Sequence, residues 1–127
     1  MKQAITNTIS IKLVHQNIEV ERNLDFVRND SAGAINAFLG AVRNQTKGEA
    51  VKHLFFEGYE PMAIKEMEKL AIEAQKRWNL LGIVMVHRLG KVEISELAVL
   101  IAVSSPHRKA SFEACEFLIN TLKETVP

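Results

Sequence analysis

Seven consecutive apolar residues, Leu97 to Val103, run straight into Ser104-Ser105-Pro106-His107-Arg108 and then into a segment with apolar residues three and four apart. An unbroken apolar run of this length reads as a buried strand. The spacing of Phe112, Cys115, Ile119, Leu122 and Val126 reads as the apolar stripe of a helix that Pro127 stops. The chain must therefore pass from strand to helix within a few residues. Ser105 is placed to be the N-cap and Pro106 the first helical residue, where its missing N–H costs nothing. A helix start offers unpaired N–H groups and the positive end of the dipole, so His107 and Arg108 in that first turn are locally unfavourable. A structural helix would more naturally carry Asp or Glu there. Two readings stay open: a phosphate or carboxylate held at the helix start, or a pair of solvated basic side chains.

The remaining segments mix helices with short strands. Ile9 to Val14 alternates as a strand, Val20 to Asn29 reads as a short helix, and Gly33 opens a second strand that runs to Val42. A polar turn, Arg43 to Gly48, leads to Val51–Tyr59, which reads as the partner strand of an antiparallel pair. Pro61 begins a second long helix whose stripe is Ile64, Met67, Ala71, Ala74 and Trp78. Ile83 to Leu89, a turn at Gly90 and Val92-Glu93-Ile94 lie between the two helices. The expected class is α+β: two long amphipathic helices, roughly 61–78 and 106–125, packed on antiparallel sheet. The expected core comprises Phe38, Phe55, Ile64, Met67, Ala71, Trp78, Val84, Leu100, Phe112, Cys115, Ile119 and Leu122.

Length and charge bound the function. The 127 residues suit one domain with one core. Sixteen basic residues oppose 15 acidic ones, so no global field draws in nucleic acid or an anionic membrane. No apolar run approaches the ~20 residues of a membrane span, and Met1-Lys2-Gln3 does not start a signal peptide. The single cysteine, Cys115, cannot form an internal disulfide, which fits a reducing cytoplasm. Its place in an apolar stripe marks a small buried hydrophobe rather than a nucleophile. The histidines at 15, 53, 87 and 107 lack metal-ligand spacing, and no metal site or resident cofactor is expected. His87-Arg88 reads as a polar strand end. Arg43 begins a turn, a common place for a binding residue. Lys123 in the last helical turn either complements the dipole or binds a carboxylate-like group and moves a proton.

These residues gain meaning as an ordered set. Gly33-Ala34-Ile35 to Phe38, Gly40-Ala41-Val42-Arg43-Asn44, Glu57-Gly58-Tyr59 with Met62, Trp78, Val86-His87-Arg88-Leu89-Gly90, Ser104 to Arg108 with Phe112-Glu113-Ala114, Leu122-Lys123 and Val126-Pro127 resemble the large, catalytic subunits of molybdopterin synthase. The resemblance implies an α/β-hammerhead fold and a homodimer. It implies that each copy binds a small ubiquitin-like sulfur-carrier subunit, giving a heterotetramer. The carrier's C-terminal Gly-Gly thiocarboxylate supplies two sulfurs to cyclic pyranopterin monophosphate, which becomes molybdopterin. The family's substrate-contacting positions fall on Ala41, Val42, Arg43, His107, Arg108 and Lys123, with Lys123 and Arg43 in catalytic roles. Family chains continue past the proline with a Trp-Lys-Lys/Arg-Glu segment whose basic residue lines the same pocket; this sequence stops at Pro127.

A non-enzymatic module that binds a phosphorylated metabolite and acts through a protein partner would use Arg43, His107 and Arg108 equally well. Lys123 discriminates, since a phosphate sensor has no need of it. Geometry adds one expectation. His107 and Lys123 are sixteen residues apart on one expected helix, about 24 Å at ~1.5 Å per residue. If both serve one small ligand, they come from different copies of the chain or the helix breaks, and with no Gly or Pro between Phe112 and Val126 two copies of a two-fold homodimer are expected.

Overall fold

The computed structural model describes residues 3–46, 48–58 and 60–125. In chain order the elements are β1 (Gln3–Ile5), β2 (Ile9–Val14), α1 (Val20–Val27), β3 (Ala34–Ala41), β4 (Gln45–Thr46) and β5 (Glu49–Ala50). They continue with β6 (His53–Phe56), α2 (Glu60–Arg77), β7 (Gly82–Arg88), β8 (Gly90–Glu93), β9 (Leu97–Ser105) and α3 (Arg108–Thr125). Five strands form one sheet in the order β1-β2-β7-β9-β3, and β4–β5 and β6–β8 make two small ribbons. The class is α+β, as the alternation of strands and helices predicted.

The apolar run at 97–103 is the strand the sequence demands. β9 lies between β7 and β3, and every residue from Ala98 to Ser105 is buried. Burial on both sides explains why it is continuously apolar rather than alternating. Val99, Ile101 and Val103 pack toward α2 and α3, in one cluster with Ile83, Met85, Met67, Ala71 and Leu118. Leu100 and Ala102 pack on the other face with Val84, Val86 and Val27, under α1.

Several expectations need correction. The sheet is not wholly antiparallel: β2 runs parallel to β7, with Ile9 opposite Ile83 and Val14 opposite Arg88. Residues 51–59 do not form a hairpin with 34–42. β3 pairs along its whole length with the long strand β9, from Ala34 opposite Ser105 to Ala41 opposite Leu97, with one register shift before Ala41. The four residues of β6 pair with β8 instead. Tyr59, the expected end of that strand, lies outside the described residues.

The stripe of α2 is as expected, with Ile64, Met67, Ala71 and Ala74 buried. The stripe of α3 is rotated by about one residue. Ser111, Ala114, Cys115, Leu118 and Leu122 are buried, Ile119 is half-buried against the core, and Phe112 is 56% exposed. Ser111 fits the tight inner position because it is small and its hydroxyl donates to the Arg108 carbonyl at 2.9 Å. Val126 and Pro127, the expected end of that stripe, lie outside the described residues. Phe55 is also on the surface, because β6 turns its alternate side chain, Phe56, toward the core. Trp78 and Phe38 are half-buried against the main cluster.

The strand-to-helix passage also differs in detail. α3 begins at Arg108, so Ser105 closes β9 rather than capping a helix, and Pro106 precedes the helix. The Ser105 hydroxyl donates to the His107 carbonyl at 2.6 Å, which holds the connection in a tight bend. Gly33 makes that bend possible: a Cβ there would collide with the Pro106 carbonyl oxygen.

Candidate functional site

A cavity of about 550 Å³ lies at the C-terminal end of α3. Phe38 to Ala41 of β3 form one wall, Leu54 and Phe56 of β6 another, and Ala98 and Val99 of β9 a third. Ile119, Leu122 and Lys123 of α3 close it, and His87 of β7 completes it. That size suits a small organic ligand. Its walls are apolar except for Lys123 and His87.

Local sequence explains the shape. The register between β3 and β9 shifts between Gly40 and Ala41, leaving Ala98 as the extra residue on β9. A Cβ at Gly40 would come to 2.5 Å from the Val99 side chain, so only glycine lets the strand approach β9 there. Ala41, just past the shift, lines the cavity. Val42 next to it is buried against Val92 and Ala98, its N–H donating to Glu96 O at 3.0 Å and its carbonyl accepting from Ser95 N–H at 2.7 Å. Its side chain is thus structural in this arrangement. Arg43 follows, exposed at the start of the turn.

The six sequence-chosen residues fall in two places. Ala41 and Lys123 share the cavity, with Val42 and Arg43 continuing from its wall. His107 and Arg108 are exposed at the opposite end of α3. α3 runs unbroken from Arg108 to Thr125, so about 22 Å of helix separates Arg108 from Lys123. Within one chain, the two groups do not meet.

Two other features bear on chemistry. Burial pushes the Cys115 thiol up to about 11, although a hydrogen bond with the Phe38 backbone works the other way. At neutral pH it is a protonated, buried thiol, poorly suited to carry sulfur. His87 is 5% exposed, and burial holds its pKa below the ordinary 6.5, outweighing the Arg88 backbone hydrogen bond. Sequence reasoning passed over His87 as a polar strand end. The signal was available: in β7 the inward row reads Ile83, Met85, His87, and a histidine at an apolar place in such a row is anomalous. Among the described residues, no three His, Cys, Asp or Glu side chains gather as a metal site would require. No helix among them is long and apolar enough to cross a membrane.

A mixed sheet flanked by two long helices, with one apolar cavity reached by a lysine, defines a small-ligand-binding α+β protein. Comparisons with known proteins narrow this. The family model described as MoaE protein matches residues 13–125. The molybdopterin synthase catalytic subunit of Staphylococcus epidermidis is 46% identical over 116 residues, covering 91% of this chain and 77% of that protein. Its counterpart in Bacillus subtilis is 42% identical over 110 residues, covering 87% and 70%. The crystal structure of molybdopterin synthase from Staphylococcus aureus superposes with a TM-score of 0.87 at 38% identity, covering 98% of this chain and 88% of that one. A complex of subunits 1 and 2 of molybdopterin-converting factor from Helicobacter pylori shares the fold, with a TM-score of 0.74 at 24% identity over 89% of this chain and 77% of that one. The chain belongs to the MoaE family, the catalytic subunits of molybdopterin synthase. It is an enzyme subunit of molybdenum cofactor biosynthesis.

Proposed function

We propose that this subunit moves sulfur from the thiocarboxylated C-terminus of a small ubiquitin-like carrier onto cyclic pyranopterin monophosphate, forming molybdopterin in the cytoplasm. The observation that carries the reading is the cavity itself: among the described residues one cation, Lys123, lines a space of about 550 Å³ that is apolar apart from His87. An ammonium there pairs with a thiocarboxylate and exchanges protons as sulfur leaves. The state of Cys115 supports an external sulfur source, since the chain's own thiol is buried and protonated. A two-subunit complex in the Helicobacter pylori relative supports the carrier partner.

The remaining residues take roles in a two-fold homodimer. Arg43 and Lys123 of one copy, beside Ala41 and Val42, meet His107 and Arg108 of the other, whose charges and helix start suit the pterin's phosphate. The unbroken length of α3 supports this, because one chain cannot fold its two ends together. So does β3, an edge strand of the five-stranded sheet that exposes Ile35 and Leu39 at 45% and 43%. Apolar edge strands are ordinarily covered. Two carriers would complete a heterotetramer.

The test is turnover with thiocarboxylated carrier and cyclic pyranopterin monophosphate. Lys123→Ala is expected to abolish product with little change in stability, since a dipole complement is worth only about 0.3–1 kcal/mol. Near-normal turnover would favour the metabolite-binding module. Arg108→Ala is expected to weaken pterin binding with the fold intact. Mixing inactive Lys123→Ala and His107→Ala chains is expected to restore one working site per mixed dimer. No recovery in confirmed mixed dimers would refute the shared site.

A further inference from the structure

The row Ile83, Met85, His87 lies on the face of β7 that packs under α2 and α3. His87 sits opposite Val99 on β9 and Leu13 on β2, both members of the main apolar cluster. Leucine or methionine would satisfy this position on packing grounds. A buried polar ring costs free energy unless its nitrogens are used. One nitrogen is used: Nδ1 lies 2.8 Å from the Arg88 carbonyl oxygen. A carbonyl only accepts, so Nδ1 carries the hydrogen and donates it. In the neutral ring that leaves Nε2 as an acceptor. Among the described residues none hydrogen-bonds to Nε2, and the ring lines the Lys123 cavity.

The ring is also held in place. Phe56 meets it edge-on, with centroids 5.3 Å apart and planes at 72°. The Arg88 side chain is tied back to Glu96 at 3.3 Å and to Asn17 at 2.8 Å, which anchors the backbone that receives the Nδ1 hydrogen. Burial keeps the imidazole neutral at pH 7. A fixed, neutral acceptor in an apolar, partly aromatic wall matches a flat heterocycle with N–H groups along its edge. Walls as broad as Phe38 and Phe56 leave room for such a ring beside the carrier's slender glycine tail.

We propose that His87 is a ligand-positioning residue whose Nε2 accepts a hydrogen bond from a ring N–H of the pterin, orienting the heterocycle in the Lys123 cavity. This rests on the functional reading above and adds a residue to it.

The experiment measures equilibrium binding of cyclic pyranopterin monophosphate, and separately of the carrier, to the full-length protein and three variants. His87→Met, an apolar replacement for an apolar row, is expected to melt no lower than the parent. It should bind the pterin on the order of tenfold more weakly, the loss of one buried hydrogen bond with its partner left unpaired. Carrier affinity should not change. His87→Gln places an acceptor near the Nε2 position and should recover most of the affinity; His87→Asn, which mimics the Nδ1 side, should not. That order among Gln and Asn decides the matter even if the Met variant folds poorly. Unchanged pterin binding in His87→Met, equal binding by the Gln and Asn variants, or a loss confined to the carrier overturns the proposal. A parent protein that does not bind the pterin at all removes the functional reading and this one with it.

Discussion

The two faces of the central sheet are covered unequally. α2 and α3 have 18 residues each, about 27 Å of helix, and lie together on one face. α1 has 8 residues, about 12 Å, and stands alone on the other. Long helices bury the first face over its whole breadth and still reach past the strand ends, where α3 and β3 enclose the cavity. The short helix covers β7 and β9 but stops before β3, so Ile35 and Leu39 stay exposed. The thick face thus encloses a cavity, and the thin face leaves an apolar patch uncovered. Helix length alone separates the two faces.

Truncations of equal chemistry put this contrast to the test. Leu118→Ala, fully buried on the thick face, is expected to cost about 2–5 kcal/mol in urea denaturation. Leu24→Ala, on α1 and only partly buried, should cost nearer 1 kcal/mol. Equal costs would break the comparison.

Acid sharpens it from the cavity side. An unfolded histidine takes its proton near pH 6.5, whereas folded His87 takes it at lower pH because of burial. Between those values the unfolded chain binds more protons. Stability is therefore intact above pH 6.5 and falls as the pH drops, by up to about 1.4 kcal/mol per unit for this residue. His87→Met should flatten that slope in melts between pH 7 and pH 5. On the thin face, Ile35→Lys should change chain stability by no more than about 0.5 kcal/mol while shifting the oligomer toward monomer by analytical ultracentrifugation. Phe55→Ala should be the smallest effect, within about 0.5 kcal/mol, since the ring is 64% exposed.

What could be read from the chain depended on whether a signal was local. The buried strand at 97–103, the helix stripe from Ile64 to Ala74 and the buried state of Cys115 are all written in spacings of a few residues. The parallel pairing of β2 with β7 is not, because it joins residues more than seventy positions apart and no turn chemistry encodes it. The choice of β9 over β6 as the partner of β3 was likewise a competition between distant segments, won by length. Phe112 misled because hydrophobicity was counted without size: Ser111 belongs to the buried face for being small. At the site, Lys123 and Ala41 were chosen by family likeness and line one cavity, while His107 and Arg108 lie a helix length away. His87 was missed because its oddity shows only against the row it interrupts.

The unbroken α3 also sets a rule about which changes in chain length this protein tolerates. A helix turns about 100° per residue, so one residue inserted between Ala114 and Leu118 would rotate everything after it by that angle. Lys123 would swing off the cavity mouth while Arg108 stayed where it was. Deleting one residue would do the same in the opposite sense. The turn after Arg43 carries no such phase, because Asn44, Gln45 and Gly48 are exposed and the segment passes into the short ribbon β4–β5. Related chains should therefore vary freely in length between Arg43 and β6 and hardly at all between Arg108 and Lys123.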